Sequence, residues 1–245
     1  MNKMICFLTI ILVPLLGGGR AAENYGFPEE AVPGKILSTK LGCFYLPSDY
    51  NPDKEYPLIV LLHGLGMQDS FFMVDQDWIS QAEKRDYIIC SVKSKSINWD
   101  DEPGSPDIKN IHKFITLLCR EYPVRKDKIC LFGWSSGGHF TNIMMAHNRP
   151  WWKHRPWITA FIEGSGGSSY IMEKKYMSKG RIPERLQVPV FIFWGEMEVP
   201  HPGENLYYFL KDQGWDITAA PHPGRHNIPE GYIDKAFDWL DEKLP

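Results

Sequence analysis

The amino-acid sequence predicts an α/β protein in which a doubly wound, mostly parallel sheet carries helices on both faces. First, apolar runs of strand length alternate with segments of helical spacing along most of the chain. Second, runs such as residues 57–62 are apolar without interruption, as expected for parallel strands that are covered on both faces. Third, the chain of 245 residues is 43% apolar and 23% charged, which is the composition of a globular protein.

The first 21 residues have the pattern of a secretory signal peptide. Lys3 gives a positive start, and the apolar run over residues 4–16 is too short to span a bilayer comfortably. Cleavage after Ala21 would place Gly19 and Ala21 at the small-residue positions, while an uncleaved anchor is the alternative. We therefore expect an exported protein with no stable membrane anchor after cleavage. Residues 22–245 are predicted to form a single domain.

The remaining elements follow in order along the chain. Residues 36–46 are predicted to form a first strand or hairpin. We predict further strands over residues 57–62, 87–92, 128–132, 159–163, 188–194 and 215–220, and helices over residues 76–84, 107–122, 140–146, 204–211 and 228–240. Residues 94–106 are polar, with two prolines and a glycine, and are predicted to form a loop. Residues 166–186 are polar and irregular, and either cap a pocket or make a surface excursion.

The clearest amphipathic helix covers residues 107–122. Six of its apolar positions fall at three-four spacing and would form one buried stripe. These are Ile108, Ile111, Phe114, Ile115, Leu118 and Cys119. Either Ser105 or Asp107 is suited to cap the first turn, because both side chains can accept a hydrogen bond from a free backbone N–H.

Residues 133–137, Gly-Trp-Ser-Ser-Gly, carry the strongest signal for chemistry. They match G-x-S-x-G between a predicted strand and a predicted helix, which is the order of a nucleophile elbow. Such a turn exposes the serine hydroxyl and brings the strand and helix backbones so close that only hydrogen fits at Gly133 and Gly137. The glycines frame Ser135 and not Ser136. A Gly/Ser-rich turn without catalytic function is the alternative.

A serine hydroxyl becomes a nucleophile only when a base takes its proton and a carboxylate orients that base. Glu196 and Glu198 follow the predicted strand over residues 188–194, and His222 and His226 follow the last predicted strand. Because the carboxyl ends of parallel strands meet at one edge of the sheet, we expect these groups to converge on Ser135.

At this point the chain resembles the α/β-hydrolase superfamily, and within it the secreted esterases related to polyhydroxybutyrate depolymerases, feruloyl esterases and predicted peptidases. The resemblance is carried by residues 44–50, 56–64, 124–138, 188–195 and 224–226. It implies an α/β-hydrolase fold with Ser135 as the nucleophile and His226, which follows a Gly-Arg pair, as the general base. Glu198 stands where relatives usually carry an aspartate and is the implied triad acid. Glu196 is its rival, and His222 is the rival of His226.

The oxyanion of such a reaction needs backbone N–H groups that are fixed before charge develops. Ser136, directly after the nucleophile, is predicted to supply one. His63-Gly64-Leu65 resembles the His-Gly-X of the family, so Leu65 is the predicted second donor and Gly64 the alternative. Trp134, His63 and Gly64 are predicted to lie in the substrate pocket, although His63 is interpreted mainly as a structural loop residue.

The composition of the chain limits the classes of partner and cofactor that we expect. The 27 basic and 30 acidic residues become 25 and 30 when Lys3 and Arg20 leave with the signal peptide. No basic stripe is present, so nucleic acid is not an expected partner. No Cys-x-x-Cys or Cys/His spacing indicates a metal, and the chemistry needs no organic cofactor. Export permits disulfides between the four remaining cysteines, but their pairing does not follow from the sequence.

The sequence therefore predicts an exported serine hydrolase that cleaves a carboxylic ester, small or polymer-linked, through an acyl-enzyme. One alternative uses the same triad as a peptidase or as an esterase of polyesters or feruloylated polysaccharides. The other is a non-catalytic α/β-hydrolase-like binding protein, which the glutamate at position 198 would signal.

Overall fold

The computed structural model describes residues 22–100, 102, 104–148, 150–152, 155–167, 184–199 and 202–244. The predicted signal peptide, and residues 168–183 of the predicted cap or surface excursion, lie outside the described residues. Across the described ranges, no helix is long and apolar enough to cross a membrane.

The centre of the fold is one eight-stranded sheet. Its strands are β1 (Ile36–Ser38), β2 (Gly42–Tyr45), β3 (Tyr56–Leu62), β4 (Ile88–Val92), β5 (Val124–Trp134), β8 (Ala160–Gly164), β9 (Val190–Phe193) and β10 (Ile217–Ala219). They lie side by side in the order β1-β2-β4-β3-β5-β8-β9-β10. Only β2 runs antiparallel to its neighbours β1 and β4, and every other pairing is parallel. Between β5 and β8, β6 (Pro150–Trp152) and β7 (Arg155–Pro156) form a separate antiparallel ribbon.

Helices cover both faces of this sheet. They are α1 (Asp69–Asp75), α2 (Trp78–Arg85), α3 (Pro106–Glu121), α4 (Ser136–His147), α5 (Pro202–Asp212) and α6 (Tyr232–Lys243). Apolar side chains alternate along β3, so that Leu58, Val60 and Leu62 join one core cluster while Ile59 and Leu61 join the other. The first cluster receives side chains from α3, α4 and α5, and the second from α1, α2 and α6. The predicted doubly wound, mostly parallel sheet is therefore confirmed.

The differences from the predicted elements have local causes. Strand β5 begins at Val124, four residues before the predicted start, because the side chains at positions 126 and 127 are exposed and their polarity hides the strand. Helix α1 was not predicted, since it has only two fully buried side chains, Phe72 and Met73, and no clear apolar stripe. The β6–β7 ribbon was also not predicted.

Helix α3 fixes the loop that the sequence predicts over residues 94–106. Ser105 caps the helix, because its side-chain oxygen accepts a hydrogen bond from the Ile108 N–H at 3.2 Å. The fully buried Asp107 carboxylate instead accepts from the N–H groups of Lys95 and Asp100, each at 2.8 Å. Asp107 therefore holds this loop in place.

The four described cysteines form no disulfide. Cys43, Cys90 and Cys130 are buried and Cys119 is half-buried, and all four are free. Burial raises the pKa of the Cys43 thiol to about 12, with the nearby Asp69 contributing. Burial also raises the pKa of the other three thiols, so all four are protonated packing residues at neutral pH.

Candidate active site

Ser135 lies on the sharp turn that joins β5 to α4. Its backbone has φ 55° and ψ −117°, a conformation that costs a non-glycine residue about 1–3 kcal/mol and persists only where the surroundings impose it. Two hydrogen bonds impose it here. The Ser135 N–H donates to the Gly164 carbonyl at 2.8 Å, and the Ser135 carbonyl accepts from the His139 N–H at 2.9 Å.

The glycines on either side of Ser135 are required by close packing. A Cβ atom on Gly133 would overlap the carbonyl oxygen of Gly137, and one on Gly137 would overlap the carbonyl oxygen of Leu62. The strand and helix backbones therefore approach as closely as the sequence motif predicts.

The imidazole of His226 lies within hydrogen-bond distance of the Ser135 hydroxyl. Its Nε2 atom lies 2.8 Å from the Ser135 Oγ atom, and its Nδ1 atom lies 3.4 Å from the Glu198 Oε2 atom. The second distance is slightly longer than an ordinary N–H···O hydrogen bond. The His226 side chain is 50% exposed and the Glu198 side chain 8% exposed. The ring of Trp134 lies 4.8 Å from that of His226 and limits its movement on one side.

Glu198 presents one oxygen to His226 because its other oxygen is held. The Oε1 atom accepts hydrogen bonds from the Ser165 hydroxyl at 2.6 Å and from the Gly195 N–H at 3.0 Å. This leaves Oε2 directed at the imidazole. A carboxylate fixed in this way selects one imidazole tautomer, with the proton on Nδ1 and a lone pair on Nε2 facing Ser135.

The two rival residues lie elsewhere. Glu196 lines a second cleft, beside Trp194 and Glu204. His222 is buried, and its Nδ1 atom accepts a hydrogen bond from the Gly224 N–H at 3.1 Å. The structure thus brings Glu198 and His226, and not Glu196 and His222, next to Ser135.

The two predicted oxyanion donors lie close to Ser135 in the chain or in space. Ser136 is the first residue of α4, where a backbone N–H has no partner within the helix. Leu65 follows Gly64, where a Cβ atom would lie 3.5 Å from the Ser135 Cβ atom. Within the described part of the chain, neither the Ser136 nor the Leu65 N–H donates a hydrogen bond. Both therefore remain the predicted donors to an oxygen bound beside Ser135.

A cleft of about 410 Å³ opens beside the Ser135 hydroxyl. It is lined by Asn98, Trp99, Ser135, Ser136, His139, Ser165 and Gly166. The loop held by Asp107 supplies two of these residues, and the turn after β8 supplies two more. Most of the lining side chains are polar, so the cleft suits a compact or polar group more than a long aliphatic chain.

The three residues predicted to lie in the substrate pocket are not among those that line this cleft. Trp134 is 8% exposed and packs between His226 and Phe193. His63 is buried, its Nδ1 atom lies 2.9 Å from the Gly64 carbonyl oxygen, and burial lowers the pKa of its imidazole. This burial agrees with the main interpretation of His63 as a structural loop residue. Gly64 packs against Trp134 and Ser135, next to the turn that carries the nucleophile.

Sequence reasoning missed Ser165 and Glu163. Both lie at the end of β8. The Ser165 side chain contacts Glu198, and the Glu163 side chain is fully buried. The only signal was the small-residue run Gly164-Ser165-Gly166 after a predicted strand. Among the described residues, no group of three or more His, Cys, Asp or Glu side chains is placed to hold a metal ion.

The sheet order, the elbow and this constellation are those of the α/β-hydrolase fold, and the chain is similar in sequence and structure to esterases with that fold. Residues 44–151 match the BD-FAE family model. The chain is also 25% identical over 104 residues to the bifunctional acetylxylan esterase/xylanase XynS20E of Neocallimastix patriciarum. That alignment covers 42% of this chain and only 15% of the fungal protein.

Solved structures with the same fold include several esterases. A ferulic acid esterase superposes with a TM-score of 0.64 at 15% identity, covering 82% of this chain and 90% of that one. The acetyl xylan esterase of Aspergillus awamori gives 0.64 at 15% identity, covering 81% and 93%. The fluorophosphonate-binding serine hydrolase F of Staphylococcus aureus gives 0.62 at 14% identity, covering 86% and 95%. At these identities the similarity establishes the fold.

Proposed function

We propose that the protein is a serine hydrolase that cleaves a carboxylic ester through an acyl-enzyme. Ser135 attacks the ester carbonyl while His226 takes the hydroxyl proton, and His226 then gives this proton to the departing alcohol. A water molecule, deprotonated by His226, attacks the acyl-enzyme and releases the acid. Glu198 holds the imidazole in the required tautomer, and the N–H groups of Ser136 and Leu65 bind the oxyanion. These steps use no metal and no organic cofactor.

One observation carries this proposal: the Nε2 atom of His226 lies 2.8 Å from the Oγ atom of a serine on a strained strand-to-helix turn. Nucleophile and base must lie within such a distance before pKa values matter. A binding protein has no need for a strained serine that faces an imidazole oriented by a carboxylate. The strain therefore favours catalysis over the binding-protein alternative.

For the substrate, we propose an acetyl or aryl ester carried on a carbohydrate. The polar, open cleft offers hydrogen-bond partners for sugar hydroxyls. The similarities to acetylxylan and ferulic acid esterases support the same class. Substrate assays separate this class from the peptidase alternative. Release of acetate from acetylated xylan, or of ferulate from feruloylated arabinoxylan, would support a carbohydrate esterase. Release of amino acids from peptides would support a peptidase. We also propose export, on the basis of the leader sequence.

The primary test is labelling of the purified protein with a fluorophosphonate, followed by intact mass and peptide mapping. We expect one adduct on Ser135 and none in Ser135→Ala, with hydrolysis of p-nitrophenyl acetate lost in the same variant. A folded wild-type protein that takes no label and hydrolyses no ester would overturn the hydrolase proposal in favour of a binding protein.

Replacing Leu65 by proline tests the second oxyanion donor, because proline lacks the backbone N–H. The φ angle of Leu65 is not positive, which proline requires, and the melting temperature of the variant checks that it folds. We expect kcat for ester hydrolysis to fall by about 10²- to 10³-fold, as for the loss of one oxyanion donor in other hydrolases. Leu65→Ala keeps the N–H and is expected to retain kcat within about threefold, because the side chain is exposed. Equal kcat values in the two variants would exclude Leu65 as the donor.

A further inference from the structure

Glu198 is held by a side chain that lies outside the proposed triad. The Ser165 hydroxyl is buried and donates to the Glu198 Oε1 atom at 2.6 Å, which is the shortest of the hydrogen bonds on this carboxylate. Hydrogen bonds of this length to an ionised acceptor are stronger than neutral ones. Without it, the Gly195 N–H alone would hold Oε1, and the carboxylate would be free to rotate away from His226.

The backbone at Ser165 is strained in a way that serves this contact. Its φ angle is 50°, which places it among four non-glycine residues with positive φ in the described part of the chain, together with Ser135. The Ser165 N–H donates to the Phe193 carbonyl at 3.0 Å, which ties the turn after β8 to the end of β9. Since Glu198 follows β9, the turn and the proposed acid are fixed to the same strand end.

Glu163 stabilises the turn after β8 from the interior of the protein. Its carboxyl group is fully buried, and its Oε1 atom accepts a hydrogen bond from the Gly166 N–H. Gly166 packs so tightly that a Cβ atom on it would overlap the carbonyl oxygen of Ser135. The carboxyl group of Glu163 thus fixes the turn that carries Ser165 against the turn that carries Ser135.

The surroundings of the Glu163 carboxyl group favour its neutral form. Burial raises its pKa to about 8, although the Gly166 N–H opposes this shift, and the charge of Glu198 raises it further. The Oε2 atom of Glu163 is buried without a hydrogen-bond partner.

We propose that Ser165 and Glu163 are positioning residues for the triad acid: Ser165 aims the Glu198 carboxylate at His226, and Glu163 fixes the turn that carries Ser165. This inference rests on the proposed function, because it assigns both residues a role in that reaction. Neither residue is assigned contact with the reacting atoms in this role.

The test compares Ser165→Ala and Ser165→Gly with the wild type. Both variants lack the hydroxyl, and glycine also relieves the positive φ, so the second variant should be at least as stable as the first. We expect kcat for p-nitrophenyl acetate to fall by about 10- to 100-fold in both, which corresponds to losing one hydrogen bond to a charged group. Melting temperatures check that both variants are folded.

A double-mutant cycle separates positioning from a general structural effect. In a Glu198→Ala background, removing the Ser165 hydroxyl should change kcat by less than about twofold, because the group that it positions is gone. Multiplicative losses would mean that Ser165 acts independently of Glu198, and would overturn the proposal. So would an unchanged kcat in Ser165→Ala. A wild-type protein that takes no fluorophosphonate label and hydrolyses no ester would overturn the proposed function as well. Failure of the positioning role and failure of the proposed function therefore give different results.

Glu163 is tested by Glu163→Gln and Glu163→Ala. Glutamine is neutral and can still accept from the Gly166 N–H, so we expect kcat to stay within about threefold of the wild type. Alanine removes the acceptor and should lower kcat as Ser165→Ala does. If Glu163→Ala does not fold, Glu163→Gln alone decides: a loss as large as that of Ser165→Ala would overturn the role of Glu163 as a neutral acceptor.

Discussion

Replacing Glu198 by glutamine is expected to lower kcat for ester hydrolysis by about 10³- to 10⁴-fold, the effect of the equivalent change in a serine protease triad. The Ser165 hydroxyl and the Gly195 N–H both donate to Oε1, so the amide oxygen of glutamine takes that position. Its NH₂ group then faces the Nδ1 atom of His226, which must become an acceptor. The imidazole proton moves to Nε2, and His226 can no longer take the proton of Ser135.

Glu196→Gln is the matched control. It makes the same chemical change two residues away, on a carboxylate that lines the second cleft. We expect kcat within about twofold of the wild type, as for a surface substitution away from the site. Steady-state kinetics with p-nitrophenyl acetate measure both variants. A large loss in Glu196→Gln, with Glu198→Gln active, would reverse the assignment of the acid.

Replacing Gly137 by alanine is expected to destabilise the fold by about 3 kcal/mol, the upper end of the usual range for overpacking, because the overlap is with backbone atoms. Helix propensity alone predicts the opposite sign, since alanine in a helix is favoured over glycine by about 1 kcal/mol. The added methyl group would overlap the carbonyl oxygen of Leu62, and that atom belongs to the central strand β3 and has little freedom to move. Steric overlap with the backbone therefore outweighs propensity.

Chemical denaturation measures this effect, and Gly104→Ala provides the comparison. Gly104 has φ 79° and no atom within 4 Å of an added Cβ, so its substitution reports backbone strain without crowding. We expect a loss of about 1 kcal/mol there. If Gly137→Ala were as stable as the wild type, the close approach of helix and strand at the elbow would be wrong, and with it the geometry proposed for Ser135.

The sequence by itself determined the fold class and the position of the elbow. A strand that is apolar throughout, such as residues 57–62, is expected to be covered on both faces, and β3 is buried in this way. The motif around Ser135 was readable because its glycines are imposed by local backbone contact between β5 and α4. Both features depend on residues that are close together in the chain, or on periodicity, and so they leave a pattern in the sequence.

Only the tertiary structure decided which carboxylate meets the imidazole and what holds it. Glu196 and Glu198 are two residues apart, and the direction of each side chain depends on the turn in which the Glu198 N–H donates to the Gly195 carbonyl at 3.0 Å. Ser165 reaches Glu198 because β8 and β9 are neighbours in the sheet, although the residues are 33 positions apart. Such contacts come from strand order and side-chain direction, and neither leaves a periodic signal in the sequence.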